Sequence, residues 1–247
     1  MFKITPPIIA HRGARFFAPE NTLAAFLKVK ELGLNWLELD VQLAACGEVV
    51  VFHDLTLERT TNGKGCLSDY PYSYLKTLDA GSWFSSLFAG ERIPTLKQVI
   101  HLLNRLQLSA NIEIKLFDQF AYEKEIVQRV FEVLAEVPIT QSILISSFSN
   151  TVLQNVRKKS LEVPLGFLMD DWLTDWQDIC DVLKANAVDV NHAILNQTRV
   201  QEIKATNRLL LSYTVNDAEK ANRLLALGVD AVFSDCPEGF LEEIKSL

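Results

Sequence analysis

The sequence predicts an α/β protein, a single (β/α)8 (TIM) barrel, and three observations support this. Short apolar, β-branched segments alternate with longer amphipathic segments along the chain, which is typical of parallel βα units. Eight of the amphipathic segments have the length and apolar spacing of helices. The 247 residues also suit one such barrel, which commonly takes about 250 residues.

Nine segments are predicted as strands and eight as helices, so one strand lies outside the simple βα repeat. The strands are Pro7–Ala10, Trp36–Leu43, Val49–Phe52, Asn111–Ile114, Ile143–Ser146, Leu165–Leu168, Val188–Val190, Leu209–Tyr213 and Ala231–Phe233. The helices are roughly Thr22–Leu32, Leu96–Leu106, Tyr122–Glu136, Asn150–Lys159, Trp172–Lys184, Gln197–Ala205, Asp217–Leu227 and Gly239–Ser246.

The surplus strand is explained by an antiparallel hairpin after the second strand. Only Ala45–Glu48 separate the second and third strands, whereas a parallel crossover needs about a dozen residues or more. We therefore expect Cys46–Gly47 to form a two-residue turn, slightly strained because Cys tolerates positive φ poorly, or else a different turn. A two-residue turn there sets His53 opposite Asp40 at the rim of the barrel.

Residues 55–94 form the one long irregular connection, and they are rich in glycine and aromatic residues. A connection of this length is usually functional, so we expect an insertion that forms a pocket wall or lid. The alternative is a small satellite cluster packed on the barrel. Because no linker or repeat is apparent, residues 1–247 are expected to form one domain.

Composition excludes several classes of partner. The net charge of −7 disfavours nucleic acid and an anionic membrane surface, which both require clustered basic residues. No apolar run approaches 18 residues, so we expect no stable membrane insertion. The four separated cysteines suggest neither a zinc knuckle nor a disulfide framework, and we expect a cytoplasmic protein with reduced thiols. Nothing in the sequence indicates an oligomeric state.

Three carboxylates are predicted to meet where reactive groups of such barrels lie, at the carboxyl ends of the strands. Glu38 and Asp40 share one face of the second strand, and Glu113 points the same way from the next barrel strand. Buried charges need compensation, and converging carboxylates suit one hard divalent cation, Mg2+ or Ca2+. Zinc is disfavoured because no cysteine or adjacent histidine pair is present there.

Two cations and two histidines are predicted at the same rim. With a divalent ion and the three carboxylates, Arg12 and Lys115 leave one net positive charge, which suits a phosphodiester. His11 and His53 can deprotonate a nucleophile and protonate a leaving alkoxide near neutral pH. The pattern therefore indicates phosphodiester hydrolysis.

The sequence resembles the glycerophosphodiester phosphodiesterase family, whose barrel is shared more distantly with phosphatidylinositol-specific phospholipases C. The resemblance covers nearly the whole chain and rests on motifs in a specific order. They are His11-Arg12-Gly13, Pro19-Glu20-Asn21-Thr22, Glu38-Leu39-Asp40-Val41, His53-Asp54, Arg59-Thr60-Thr61, Ile93-Pro94-Thr95-Leu96, Glu113-Ile114-Lys115, Ser147-Phe148, Thr214-Val215-Asn216 and Ser234-Asp235-Cys236-Pro237.

The resemblance implies roles that agree with those from strand geometry. It implies an acid/base pair of His11 and His53, metal ligands Glu38, Asp40 and Glu113, and phosphate contacts from Arg12 and Lys115. The candidates for pocket lining are Trp83, Phe148 and Tyr213. Asp54 is interpreted as a turn residue and Asp235 as a residue that fixes the last βα loop.

The implied reaction is hydrolysis of glycerophosphodiesters, such as glycerophosphocholine or glycerophosphoethanolamine, to sn-glycerol 3-phosphate and an alcohol. Hydrolysis of lysophospholipids by a lysophospholipase D is the alternative within the same class. A catalytically silent phosphodiester-binding barrel and a sugar-phosphate isomerase are weaker alternatives. The sequence leaves open the head group, Mg2+ against Ca2+, which histidine is the acid, and whether a cyclic phosphate forms.

Overall fold

The strands of the chain form one closed sheet in the computed structural model, which describes residues 3–117 and 122–239. They are β1 (Ile8–Ala10), β2 (Trp36–Leu43), β3 (Val49–Val51), β4 (Ser109–Ile114), β5 (Ile143–Ser147), β6 (Leu165–Met169), β7 (Ala187–Asn191), β8 (Leu209–Tyr213) and β9 (Ala231–Ser234). β1 pairs in parallel with β9 on one side and with β2 on the other, which closes a ring of eight strands. β3 is bonded outside this ring. The predicted (β/α)8 barrel is confirmed.

Seven of the eight predicted helices are present between the barrel strands, and a further short helix in the insertion, Tyr72–Leu75, was not predicted. They are α1 (Leu23–Glu31), α2 (Tyr72–Leu75), α3 (Leu96–Leu106), α4 (Glu123–Glu136), α5 (Asn150–Lys159), α6 (Trp176–Leu183), α7 (Gln197–Lys204) and α8 (Ala218–Leu227). Side-chain oxygens at several N-caps accept a first-turn amide, and Thr95 and Gln98 form a capping box at α3. The helix predicted over Gly239–Ser246 lies outside the described residues, apart from Gly239.

Alternation along the strands separates the packing core from the barrel interior. Leu37, Leu39 and Val41 of β2 are buried in the cluster that the sheet forms with the surrounding helices. The intervening Glu38 and Asp40 therefore face the interior of the barrel. The same period places two kinds of side chain on one strand, apolar toward the helices and charged toward the interior.

The hairpin is confirmed, but its predicted register is wrong by one residue. Val41 pairs with Val51, and the amide of Phe52 donates to the Asp40 carbonyl at 2.9 Å, so Phe52 rather than His53 lies opposite Asp40. The loop has three residues, closed by the Gly47 amide on the Ala44 carbonyl, with Gly47 at φ +77°. A three-residue loop ending in a left-handed glycine is a standard hairpin, and it spares the cysteine a positive φ.

The insertion packs against the hairpin through its own apolar cluster. Val50 and Phe52 of the hairpin side are buried there together with Leu57, Leu67 and Leu75 of the insertion. Residues 55–94 thus have an apolar cluster of their own, and their role as a pocket wall or lid stays a prediction. No helix among residues 3–117 and 122–239 is long and apolar enough to cross a bilayer.

Candidate active site at the barrel mouth

Three carboxylates meet at the mouth of the barrel, as the sequence predicts. Asp40 of β2 pairs in register with Glu113 of β4, and Glu38 lies two residues before Asp40 on the same face. All three are buried, and one oxygen of each lies within 4.8 Å of the others. In the part of the chain that the structure describes, this is the one such group that could hold a metal ion.

The electrostatics of this cluster favour an added cation. Burial, reinforced by the neighbouring carboxylates, raises the pKa of Glu38 well above its ordinary value. Burial also raises the pKa of Glu113 to about 7. Burial opposes ionisation of Asp40 too, but Lys115 and Arg12 outweigh it and lower the pKa of that carboxyl. Oε1 of Glu38 is buried without a hydrogen-bond partner. Burial makes Glu38 and Glu113 costly to ionise, and one hard divalent cation bound by these carboxylate oxygens would offset that cost.

The two predicted cations lie beside these carboxylates. Nζ of Lys115 is 2.6 Å from Glu113 and 3.2 Å from Asp40. Nε of Arg12 is 3.5 Å from Asp40, and its backbone amide donates to Glu38 at 2.8 Å. Arg12 has φ +54°, a conformation that directs both its amide and its side chain at the strand end. Gly13 follows because a Cβ there would approach α1 to 2.8 Å.

His11 is held by a carboxylate from the neighbouring strand end. Its Nδ1 lies 2.6 Å from Asp235, and its Nε2 lies 3.9 Å from Glu38. A carboxylate only accepts, so the neutral imidazole carries its proton on Nδ1 and presents a bare Nε2 to the interior. Burial lowers the pKa of His11, and Arg12 adds to that effect, so the neutral form is favoured at pH 7.

His53 is held in the same way by the next residue. Its Nδ1 lies 2.6 Å from Asp54, and burial again lowers the pKa of the imidazole. The pKa values of Asp54 and Asp235 are each lowered to about 2, against the effect of burial, by the hydrogen bonds these carboxylates accept. Both histidines therefore face an ionised carboxylate at Nδ1.

One cavity of about 240 Å3 joins these groups. Six of the seven residues predicted to act in catalysis, metal binding or phosphate binding line it, together with aromatic and small polar side chains. The lining residues are His11, Arg12, Glu38, His53, Asn111, Glu113, Lys115, Phe148, Leu168, Tyr213, Thr214 and Phe233. Asp40 is fully buried beneath this lining. The arrangement offers cations for an anion, bare imidazole nitrogens for proton transfer, and oxygen ligands for a metal.

Comparison with known proteins identifies the family of this chain. Residues 11–239 match the sequence model of the glycerophosphoryl diester phosphodiesterase family. The chain belongs to this family. The family predicted from the sequence motifs, and an enzyme of its class, are thereby confirmed.

Relatives of known name cover the chain almost end to end. A glycerophosphodiester phosphodiesterase of Caldanaerobacter subterraneus subsp. tengcongensis is 34% identical over 238 residues, covering 96% of this chain and 97% of the relative. One from Bacillus subtilis is 32% identical, covering 94% and 84%. A solved Oleispira antarctica phosphodiesterase, in complex with the product sn-glycerol-3-phosphate, matches with TM-score 0.93 and 34% identity, covering 98% and 97%.

Two of the three aromatic residues predicted to line the pocket do so. Phe148 and Tyr213 line the cavity and contact each other edge to face at 6.0 Å between ring centroids. Trp83 does not line it: its indole donates to the Ala80 carbonyl at 2.9 Å and packs on Phe84 within the insertion. No residue of 55–94 is among those lining this cavity, although Leu55 and Ser68 line an adjoining groove.

Sequence reasoning missed the partners of both histidines. Asp235 is 224 residues from His11, but β1 and β9 pair with Ala10 beside Ser234, so the next residue of each strand lies side by side. The closed ring was predicted, and its closure register could have shown this pair. Asn21 is part of a motif of the resemblance but is not among the predicted site residues, and its side-chain amide donates to Asp40 at 2.8 Å.

Proposed function

We propose that this protein hydrolyses glycerophosphodiesters to sn-glycerol 3-phosphate and an alcohol, using one divalent metal ion and two histidines. The observation that carries the proposal is the cavity into which His11 and His53 both project beside the three carboxylates. The product bound to the Oleispira antarctica relative supports the choice of substrate class. The cytoplasmic location stays a prediction from cysteine usage.

Arg12 and Lys115 bind the non-bridging oxygens of the substrate in this proposal. Both cations line the cavity and stand next to the carboxylate cluster. With a divalent ion in place, these groups sum to one positive charge, which a singly charged phosphodiester neutralises. A neutral complex avoids the cost of leaving a net charge in a buried site.

The histidines exchange protons with the two ends of the displacement. A neutral imidazole with Nδ1–H held by Asp54 or Asp235 accepts a proton at Nε2 from the attacking oxygen. The other imidazole acts as the imidazolium, a minor form at pH 7 that the carboxylate at its Nδ1 stabilises, and donates its Nε2 proton to the alkoxide as the P–O bond to the alcohol breaks. Glu38, Asp40 and Glu113 hold the metal ion, which when bound polarises the phosphoryl group and offsets its developing charge.

Release of sn-glycerol 3-phosphate tests the proposal directly. Purified protein is stripped with EDTA and incubated with glycerophosphocholine, and Mg2+, Ca2+ or Mn2+ is then added back. We expect release only with an added ion. A folded protein that releases nothing with any ion contradicts the proposal, and a lysophospholipid is then the next substrate to assay.

Metal affinity separates the proposed ligands from the proposed phosphate contacts. Glu113→Gln removes a negative ligand and should weaken metal binding by at least about 10-fold, the lower end of the loss for residues that only support a ligand. Lys115→Met removes a cation that competes for the same carboxylate, so it should bind the ion at least as tightly as the wild type. Calorimetric titration with Ca2+ or Mg2+ measures both. Equal weakening in the two variants contradicts this division of roles.

A further inference from the structure

Glu20 is a buried carboxylate that gathers three arginines at the rim of the cavity. It lies between β1 and α1 and is 5% exposed. Nη1 of Arg12 donates to it at 2.8 Å, and Nη2 of Arg15 lies at 3.2 Å. Arg59 donates through both Nη atoms, at 2.8 and 2.7 Å, one to each carboxylate oxygen. Glu20 therefore ties a proposed phosphate contact to a residue of the insertion.

The second edge of the Arg59 guanidinium contacts the carboxylate that holds His53. Nε lies 2.5 Å from Oδ2 of Asp54, and Nη2 lies 2.8 Å from Oδ1. Oδ1 of Asp54 is also the atom 2.6 Å from Nδ1 of His53. A planar guanidinium can engage two carboxylates along two edges, which a lysine ammonium cannot reproduce.

We infer that Arg59 is a positioning residue that fixes the orientation of His53 through Asp54, with Glu20 as its anchor. The inference rests on the proposed function, because His53 is the group whose orientation then matters for proton transfer. The contacts form one continuous chain: His53, Asp54, Arg59, Glu20 and Arg12. The insertion thereby acts on the active site although it does not line the cavity.

The charges along this chain support a fixed arrangement. Burial works against ionisation of Glu20, but the hydrogen bonds from Arg59 and the nearby arginine charges lower its pKa to about 2. The pKa of Asp54 is likewise lowered to about 2. The hydrogen bonds to these two carboxylates raise the pKa of Arg59 above its ordinary value. All three groups are ionised at neutral pH, so the hydrogen bonds are charge-assisted and directional.

Loss of the Arg59 contacts to Asp54 should allow His53 to change its tautomer. With the carboxylate clamped, the neutral imidazole keeps its proton on Nδ1 and its acceptor on Nε2. If Asp54 rotates into solvent, Nδ1 loses its partner and the ring can carry its proton on Nε2 instead. That tautomer presents a donor to the interior and cannot accept the proton of a nucleophile.

The test compares Arg59→Gln and Arg59→Lys with Arg92→Gln in the intact, metal-loaded protein. Arg92 is an exposed arginine of the same insertion that donates to the Thr77 and Leu78 carbonyls, away from the chain of carboxylates. We expect Arg59→Gln to lower kcat about 10-fold, on the scale of partners that orient active-site ligands, with KM little changed. Arg59→Lys keeps the charge but should recover little kcat, and Arg92→Gln should behave as the wild type.

Nitrogen-15 NMR of the histidine rings gives a readout that needs no turnover. We expect wild-type His53 in the Nδ1–H form and Arg59→Gln with a substantial Nε2–H population. An unchanged tautomer, or an unchanged kcat in a folded Arg59→Gln protein, overturns the inference. If the wild type hydrolyses no glycerophosphodiester, the proposed function fails, while the tautomer still decides the role of Arg59.

Discussion

The two histidines have the same kind of carboxylate partner but two different structural supports, the closed ring for His11 and the hairpin for His53. His11 follows a strand of the closed ring, and its partner Asp235 comes from the adjacent strand end. His53 follows a strand outside the ring, and its partner is the next residue in the chain. Both imidazoles nevertheless have a carboxylate 2.6 Å from Nδ1.

Different residues hold these two carboxylates, Asp235 and Asp54, in place. Asp235 accepts from the side chain of Asn216 at 2.9 Å, and its own amide donates back to that side chain at 2.8 Å. Asp54 is secured by Arg59, an arginine that is 41% exposed. A strand of the ring pairs with a neighbouring strand on each side, whereas β3 pairs with β2 on one side and has only an isolated bridge to Thr95 on the other. The end of the hairpin therefore gains more from a contact with the insertion.

The largest effect should come from removing either imidazole. His11→Ala and His53→Ala should each lower kcat by about 10²-fold to 10⁴-fold, the range for a positioned acid or base. Release of sn-glycerol 3-phosphate measures the loss, and His101→Ala on α3, an exposed histidine, is the matched control. Wild-type turnover in a folded His53→Ala protein would remove the hairpin support from the mechanism and leave His11 alone.

A smaller effect should follow from neutralising the carboxylate partners. Asp235→Asn and Asp54→Asn each keep the size of the side chain, yet the amide can donate to Nδ1 and favour the wrong tautomer. We expect each to lower kcat by about 10-fold to 100-fold, on the scale of partners that orient active-site groups. Steady-state kinetics over pH 5–9 measures both variants.

Double variants with Arg59→Gln then separate the two supports. Asp54 and Arg59 share hydrogen bonds, so their losses should be less than additive. Among the described contacts Asp235 shares no hydrogen bond with Arg59 and reaches Glu20 only through Arg15, 3.6 Å away, so that pair should be close to additive. Additivity in both pairs would mean that the insertion does not act through Asp54.

Much of the barrel could be predicted because local sequence determines it. β2, β8, α3 and α5 have the predicted bounds, since alternation, N-cap residues and apolar periodicity coincide at those places. The carboxylate cluster followed from the same alternation, because a period of two decides which face Glu38 and Asp40 share.

The supports of the histidines could not be predicted to the same depth. The hairpin register depends on whether the turn has two or three residues, and Cys46–Gly47 is compatible with both. A one-residue change there alters which residue lies opposite Asp40. Arg59 sits in a segment without periodicity, and its contacts with Glu20 and Asp54 depend on how the insertion packs.

The smallest expected effect concerns stability in acid, and it also distinguishes the supports. Folding lowers the pKa of Asp54 and of Asp235 from 3.8 to about 2. Between these values the unfolded chain binds protons that the folded protein does not, so the free energy of unfolding falls as pH falls. Each carboxylate should contribute about 1 kcal/mol above pH 4 after allowance for solvent screening, lost toward pH 2.

Urea unfolding of Asp54→Asn and Asp235→Asn between pH 2 and pH 6 should therefore show a weaker pH dependence than the wild type. Arg59→Gln should also weaken this dependence, because it removes hydrogen bonds from both Glu20 and Asp54. It should change the contribution of Asp235 only slightly, through the Arg15 that Asp235 shares with Glu20, so adding Asp235→Asn to Arg59→Gln should reduce the dependence further. If that addition changes nothing, the two supports share one electrostatic network, and the distinction between ring and hairpin does not hold.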